Sequence, residues 1–393
     1  MTTAVRSRGA RAHPAVAAHA APVPALTMGV EEEFLLLDPE TGRVVPGADV
    51  VRGRVRGSIA ARLVPELTRF QVESNSEVHT DLDRLGDDLL ELRRVAASAA
   101  AASGLGLVAC GTALSGNVGI PPLSRSPRYH DIAREFRAVI RGQGVCGCHV
   151  HIGMDDHEEA VQVSNHTRPW LPVLLALTVN SPIADELDTG YASWRTMLIG
   201  RWPSAEPPPF FHSFGHYESL VSGLRASGAI MDRGMVYWLV RISDHVPTLE
   251  FRTADVCATV EETVLLAALV RALAATAVLD VRAGIAAPQI DQTLLRAAFW
   301  RAARDGMDGH GLDLLTGSRV PAWRLVRRLI DRVRPSLAAS GDLRTVTAAL
   351  DSIRRVGSGA ARQRAAYARR GHLPDVARLL IEQTVAAPAR RAL

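Results

Sequence analysis

The sequence predicts an α+β fold whose C-terminal part, residues 286–393, is mainly helical. Two observations point there. Strand-like and helix-like segments are mixed without the strict alternation that builds a doubly wound parallel sheet. No G-x-G-x-x-G follows a strand and opens a helix, and no P-loop is present. The chain has 393 residues, 47% hydrophobic and 22% charged, enough for a sizeable core. At roughly 150 residues per domain it would hold two to three domains or one large one.

Residues 1–27 are rich in Ala, Pro and His. His13, Pro14, His19, Pro22 and Pro24 interrupt every apolar run that a secretory signal would need. They read as a disordered leader, with Met28 an alternative start just before the first strand. Residues 29–38 form that strand, closed by the turn-like Pro39-Glu40-Thr41-Gly42. Residues 70–80 read as a second. Residues 81–103 place Leu82, Leu85, Leu89, Leu92 and Val95 at helical spacing, with Thr80 or Asp81 as N-cap and Gly104 and Gly106 as the stop. A short buried strand fits 107–111, a helix 126–142 and a strand 144–153. Two helices follow at 158–166 and 170–180. Residues 181–215, with Pro203 and Pro207-Pro208-Pro209, form a long irregular segment of the kind that supplies lids or binding loops. A helix fits 217–227, neighbouring strands fit 235–242 and 247–255, and a long apolar helix fits 260–282. Arg271 and Thr276 break its most apolar part, which suits burial rather than a membrane span. From residue 291 onward the pattern is helical, with Gly306, Gly341 and Gly357 at helix ends. The chain reads as a leader, 1–27, and one domain, 28–393.

Composition excludes several chemistries. The sequence contains no lysine, so all 45 basic residues are arginine. That removes Schiff-base, pyridoxal-phosphate and Walker-A lysines. Phosphate must be held by arginine, backbone N–H groups or metal, and the planar guanidinium fork suits it. The net charge of +4 falls to +1 without Arg6, Arg8 and Arg11 of the leader, so nucleic acid is not an expected partner. Four cysteines in so long a chain make no disulfide framework, and a reducing cytoplasm is the expected location.

Four strand-like segments each place two polar residues at i, i+2 or i, i+4, which share a face of a strand. They are Glu31 and Glu33, Glu73 and Glu77, His149 and His151, and Glu250 and Arg252. Val150 and Phe251 between them are apolar. Any one pair fits a solvated strand face. All four together imply a shared polar face, on which gathered carboxylates repel unless cations sit among them. Glu oxygens suit Mg²⁺ or Mn²⁺, hard ions that also bridge nucleotide phosphates. Arginine beside them suits a transferring phosphoryl group. The inference is a metal-nucleotide site on a sheet. Zinc is a rival, since Cys146, Cys148, His149 and His151 crowd into six residues. Structural zinc sites use two separated ligand pairs, and alternation points these side chains apart. Buried core thiols are the simpler reading of the cysteines.

Taken in order, Gly29-Val-Glu-Glu-Glu-Phe34, Gln71-Val-Glu-Ser-Asn-Ser-Glu-Val78, Cys146-Gly-Cys-His-Val-His151 and Thr248-Leu-Glu-Phe-Arg-Thr-Ala-Asp-Val256 resemble the type-2 glutamate–cysteine ligase family of bacterial carboxylate–amine ligases. Tyr191-Ala-Ser-Trp-Arg-Thr-Met197, Gly200-Arg-Trp-Pro203 and Trp300-Arg-Ala-Ala-Arg-Asp-Gly306 fit as well. The resemblance runs from about Thr27 to the C-terminus. It implies a glutamine-synthetase/guanido-kinase-like catalytic fold, with a curved, mainly antiparallel sheet flanked by helices. It implies ATP and Mg²⁺ as cofactors, amino-acid substrates and a homodimer. Carried over, Glu31, Glu33, Glu73, Glu77 and Glu250 would surround metals, with His149 or His151 on a metal or phosphate. Arg252 would meet the γ-phosphate, and Arg195 and Arg201 the substrate carboxylates. Arg301 and Arg304 are weaker candidates for the nucleotide end. The expected reaction joins a carboxylate to an amine through an acyl phosphate, with glutamate and cysteine as the implied pair. One departure stands out. Family members often carry an acid after Tyr-Trp and then Arg-Pro-Ser, whereas Leu239 and Ile242 occupy those slots here. This keeps two alternatives open: a phosphotransferase on the same fold, and a catalytically weak nucleotide- or amino-acid-binding protein. The arginines at 354, 355, 362, 364, 369 and 370 read as a solvated helix face.

Overall fold

The computed structural model describes residues 22–387. The expected disorder of the leader falls largely on residues 1–21, outside the described residues. Eleven strands occur among the described residues. They are β1 Met28–Leu37, β2 Leu63–Pro65, β3 Gln71–Asn75, β4 Gly106–Val108, β5 Gly147–Gly153, β6 Ile183–Ala184, β7 Leu187–Asp188, β8 Val240–Ile242, β9 Thr248–Asp255, β10 His310–Asp313 and β11 Ser318–Pro321. Seven form one sheet in the order β2-β3-β1-β5-β9-β8, with β4 beside β1. Every pairing in it is antiparallel. The α+β class therefore holds, and so does the antiparallel sheet.

β1 organises the sheet. Its first half pairs with β5 and its last residues with β4, while β3 takes the opposite edge. Val30 of β1, Cys148, Val150 and Ile152 of β5, and Leu249 and Phe251 of β9 bury one face. That face packs in one core with the helix Val260–Arg282, whose residues from Glu262 to Asp280 are all buried. A helix apolar all round belongs inside a protein. Thr259 starts it by accepting the Glu262 N–H. Beneath the same face lies a fully buried ion pair: Arg93 donates to both oxygens of Glu32 at 2.9 and 2.6 Å, and Thr263 adds a hydroxyl at 2.6 Å.

The helix Leu82–Ala101 matches its periodicity, with Asp81 as N-cap. Several strands are shorter than their patterns. β3 stops at Asn75, because Ser76 leaves the ladder to bond Val30 through both backbone and hydroxyl. The expected helix over 126–142 ends at Phe136 and turns at Arg137 (φ 51°) into a 3₁₀ turn. The irregular segment after residue 181 contains the β6–β7 hairpin and the short helix Trp194–Ile199. The helical C-terminal part carries an unexpected hairpin, β10–β11, whose loop is closed by Gly317 (φ 70°) donating to the Asp313 carbonyl.

Candidate active site

The odd-numbered residues of β1 share the sheet's second face with facing positions of β3, β5 and β9. Register sets Glu33 opposite Glu73, Glu31 opposite His149, and His151 opposite Glu250, which also faces Arg241. This is the polar face that the paired motifs predict. His149 Nδ1 lies 3.0 Å from Glu31 Oε2, and His151 Nε2 lies 3.1 Å from Glu31 Oε1. The Gly147 N–H donates to Glu33 Oε2 at 2.6 Å. Arg241 Nε donates to Glu250 Oε2 at 2.7 Å, and Arg252 holds the other oxygen. A cavity of about 760 Å³ lies against this face, lined by Glu31, Glu33, Glu66, Glu73, His149, Arg195 and Arg252 among others. Tyr129, Trp202 and Tyr237 add aromatic wall, and Arg128, Arg225 and Arg233 add positive charge.

Burial and charge split these groups into two sets. Burial lifts the Glu33 carboxyl to about 8, with Glu66 reinforcing it. Burial also raises Glu73 well above the usual range, helped by Glu31, Glu66 and Glu33. Burial opposes ionisation of Glu31 as well, yet hydrogen bonds from His149 and His151 hold it low. Glu250 stays low against burial because Arg252 and Arg241 face it. Burial and the neighbouring Arg252 push His149 down to about 4, so it is neutral and donates to Glu31.

The donor set fits a hard divalent cation. Glu31, His151 and Glu250 each bring one ligand atom within 4.8 Å of the others. His151 Nδ1 is bonded to Thr248 Oγ1 at 2.8 Å, which turns its buried Nε2 toward Glu31. That is how a metal-ligating histidine is oriented by its second nitrogen. Glu33 and Glu73, whose carboxyls burial raises with neighbouring carboxylates reinforcing it, are groups that a nearby cation would help to ionise. The carboxylate oxygens that dominate this face suit Mg²⁺ or Mn²⁺, whereas an imidazole is a donor that zinc also takes. No cysteine joins the group among the described residues. Cys146 and Cys148 are free and buried in two separate apolar clusters, as core thiols.

Not every sequence candidate reaches this cavity. Glu77 lies two residues beyond the end of β3, with its side chain 71% exposed and 3.7 Å from Arg62. Arg201 is exposed and donates to the Arg141 carbonyl at 3.0 Å, outside the cavity. Arg301 and Arg304 both pair with Asp305, at 3.1 and 2.5 Å, and Arg301 also stacks on Trp300. Four of the six C-terminal arginines are engaged locally: Arg354 stacks on Trp323, while Arg362, Arg364 and Arg370 pair with Glu262, Asp188 and Asp375. Leu239 packs against the main core rather than lining the cavity.

Other residues in or beside the cavity were not legible. Glu66, just after β2, is half-buried with Tyr129 donating to it at 2.8 Å, and no periodic pattern marks it. Asp255 is hidden by a bulge. Between the pairs Cys148–Ala254 and Val150–Phe251, β9 has one residue more than β5. Strict alternation from Arg252 would put Asp255 on the core face, but the extra residue returns it to the polar face opposite Gly147. Arg241 could have been found by registering the two neighbouring strands, which sets it beside Glu250.

Comparison with known proteins points to one family by sequence. The model of glutamate-cysteine ligase family 2 (GCS2) matches residues 27–380. A relative from Saccharopolyspora erythraea, of the glutamate–cysteine ligase 2 class, is 48% identical over 361 residues, 92% of this chain and 95% of its own. One from Salinispora arenicola is 50% identical over 339 residues, 86% of this chain and 89% of its own. Among solved structures, a glutamate–cysteine ligase from Francisella tularensis bound to AMP superposes with a TM-score of 0.62 at 13% identity, over 93% of this chain and 90% of that one. A bifunctional glutathione synthetase from Pasteurella multocida gives 0.67 at 14% identity over 91% of this chain, which spans 52% of that longer protein. The ordered motifs, the antiparallel sheet and the relatives at near one-half identity converge: this chain belongs to glutamate–cysteine ligase family 2.

Proposed function

We propose that the protein is an ATP-dependent carboxylate–amine ligase, with glutamate as the acid and cysteine among its amines. The observation that carries this is the cavity's charge pattern: clustered carboxylates and imidazoles on one sheet face, met by Arg252 and Arg241 through Glu250. It suits a metal-bound triphosphate, and the related Francisella structure holds a nucleotide. Glu31, His151 and Glu250, with Glu33 and Glu73, would hold Mg²⁺ or Mn²⁺. The bound cation supplies charge neutralisation for the phosphates. Arg252 reaches the γ-phosphoryl oxygens as charge builds on them, and buried Arg195 holds a carboxylate of the acid. The reacting carboxylate oxygen attacks the γ-phosphorus, and the bond to the bridging oxygen breaks to release ADP. The amine nitrogen then attacks the acyl carbon. Phosphate leaves, the nitrogen gives up a proton, and an amide remains. This chemistry needs positioning and charge more than a covalent protein nucleophile, which fits a site without lysine. Four buried free thiols suit a reducing cytoplasm.

The test is purified protein with Mg²⁺-ATP, glutamate and a panel of amines that includes cysteine, followed by ADP release and product mass. ADP with a new amide mass establishes the ligase and names the acceptor. A stable phosphorylated acid in place of an amide would show a phosphotransferase. ATP binding without ADP release from any pair would show a binding protein, the reading that Leu239 keeps open.

A further inference from the structure

Arg195 is a buried cation whose Nε makes no hydrogen bond among the described residues. It is 5% exposed and lines the cavity. Its nearest acid, Asp255, stands 3.9 Å away, beyond hydrogen-bond reach. Asp255 is fully buried, and both its oxygens are taken. Oδ2 accepts from the Ser181 hydroxyl at 2.7 Å and the Asn180 N–H at 2.9 Å, and Oδ1 accepts from the Ser193 hydroxyl at 2.8 Å. The carboxylate therefore cannot turn to chelate the guanidinium. It balances the arginine's charge without quenching its donors.

The same two hydroxyls hold the helix that carries Arg195. Ser181 Oγ accepts the Arg195 N–H at 3.1 Å, and Ser193 Oγ caps Thr196 N at 3.3 Å. A hydroxyl has one proton. Given to Asp255, it leaves each oxygen free to accept from the helix. An Asn at 255 would present an amide donor to one of these hydroxyls and force it to turn. On the other side, a Cβ at Gly147 would overlap Arg195 Nη2, so the guanidinium lies directly over the β5 backbone.

We propose that Asp255, through Ser181 and Ser193, is the positioning residue of Arg195 and sets this site's affinity for a carboxylate-bearing substrate. The proposal rests on the ligase reading for the identity of that substrate, but not for its test. An oxyanion on Arg195 could come from the acid or from a nucleotide phosphate, so both are titrated. Calorimetric binding of L-glutamate, of glutarate and of Mg²⁺-ATP is measured in wild type, Asp255→Asn, Arg195→Ala and the double variant. Glutamate and glutarate should bind about tenfold or more weakly to Asp255→Asn, with ATP affinity within about threefold of wild type. Adding Asp255→Asn to Arg195→Ala should cost nothing further, because one acts through the other. Ser193→Ala, a milder cut in the same network, should weaken the acid in the same direction, and it serves if Asp255→Asn fails to fold. Wild-type acid affinity in these variants would overturn the proposal. So would a full second loss in the Arg195→Ala background, an effect confined to ATP, or no acid binding by wild type. Failure of the ligase reading shows separately, as wild type that binds the acid and releases no ADP.

Discussion

Glu33 sits at the point where burial and charge conflict most sharply. Its carboxyl titrates near 8 because it is buried and faces Glu66, so at pH 7 it is mostly protonated. A cation in the cluster favours the ionised form, and the proton must leave. Binding of Mg²⁺ or Mn²⁺ at pH 7 should release at least about one proton, and distinctly less at pH 9, where Glu33 is already ionised. Calorimetry in buffers of different ionisation enthalpy measures this directly, and Glu33→Gln should remove most of the release. Arg252 makes a second prediction. A lysine keeps the charge but loses the planar fork, so Arg252→Lys should lower kcat by roughly 10²–10³-fold in steady-state ADP release with little change in the amine KM. Wild-type kcat in that variant would remove Arg252 from the phosphoryl role proposed for it. At this scale the sequence is legible wherever side chains keep strict period two. Glu31, Glu33, Glu73, His149 and Glu250 obey it and converge. Glu77 follows the same spacing on paper, but the strand has already ended. Asp255 breaks the period at a bulge, and Glu66 has no period to break.

Elements were read best where a cap or an uninterrupted apolar run marks them. Thr259 and the run behind it give the helix Val260–Arg282 to the residue. Short edge strands such as β8 gave only their neighbourhood, because three residues carry no alternation to count. The β10–β11 hairpin was missed because a Gly317 turn with four-residue flanks resembles a helix end. Tertiary pairing also decides what a charged residue means, as Glu32 shows. It lies between two site carboxylates in sequence but points into the core against Arg93. Arg93→Met would leave Glu32 buried without its partner and should destabilise the protein by about 3–5 kcal/mol in denaturant unfolding, with part restored by Glu32→Gln. The helix His157–Thr167 carries a pH-sensitive counterpart. Burial and the nearby Arg332 lower His166 to about 4, below its unfolded value of 6.5. Between those values the unfolded chain binds a proton that the folded one refuses. Stability should therefore fall on acidification from pH 6.5 towards 4, and His166→Gln should flatten that part of the melting-temperature profile.

The molecule as a whole is held together by its last helices. Helices Gly359–Ala368 and Leu373–Thr384 supply Ala366, Val376, Ala377 and Leu380 to the apolar cluster that contains Phe34, Leu36 and Val108 of the central sheet. Thr384 accepts the Ala109 N–H at 2.8 Å and, through its carbonyl, a bond from buried Arg93 at 3.2 Å. Gln363 donates to the carbonyl of Asn180 at 2.9 Å and to its side chain at 2.8 Å, and Asn180 in turn bonds Asp255. One chain of hydrogen bonds thus runs from the C-terminal part through Asp255 and Ser181 to the backbone N–H of Arg195. Such a part cannot be a separate module, because removing it strips partners from buried donors on the sheet side. Calorimetry of the full chain should show a single unfolding transition. A variant ending at Gly357 should lose it, bind a hydrophobic dye and lose its near-ultraviolet circular dichroism. Two resolved transitions in the full chain, or a sharp one surviving truncation within a few degrees of wild type, would mean that the central sheet folds without its C-terminal helices. The positioning of Arg195 would then have to be complete within residues 22–357.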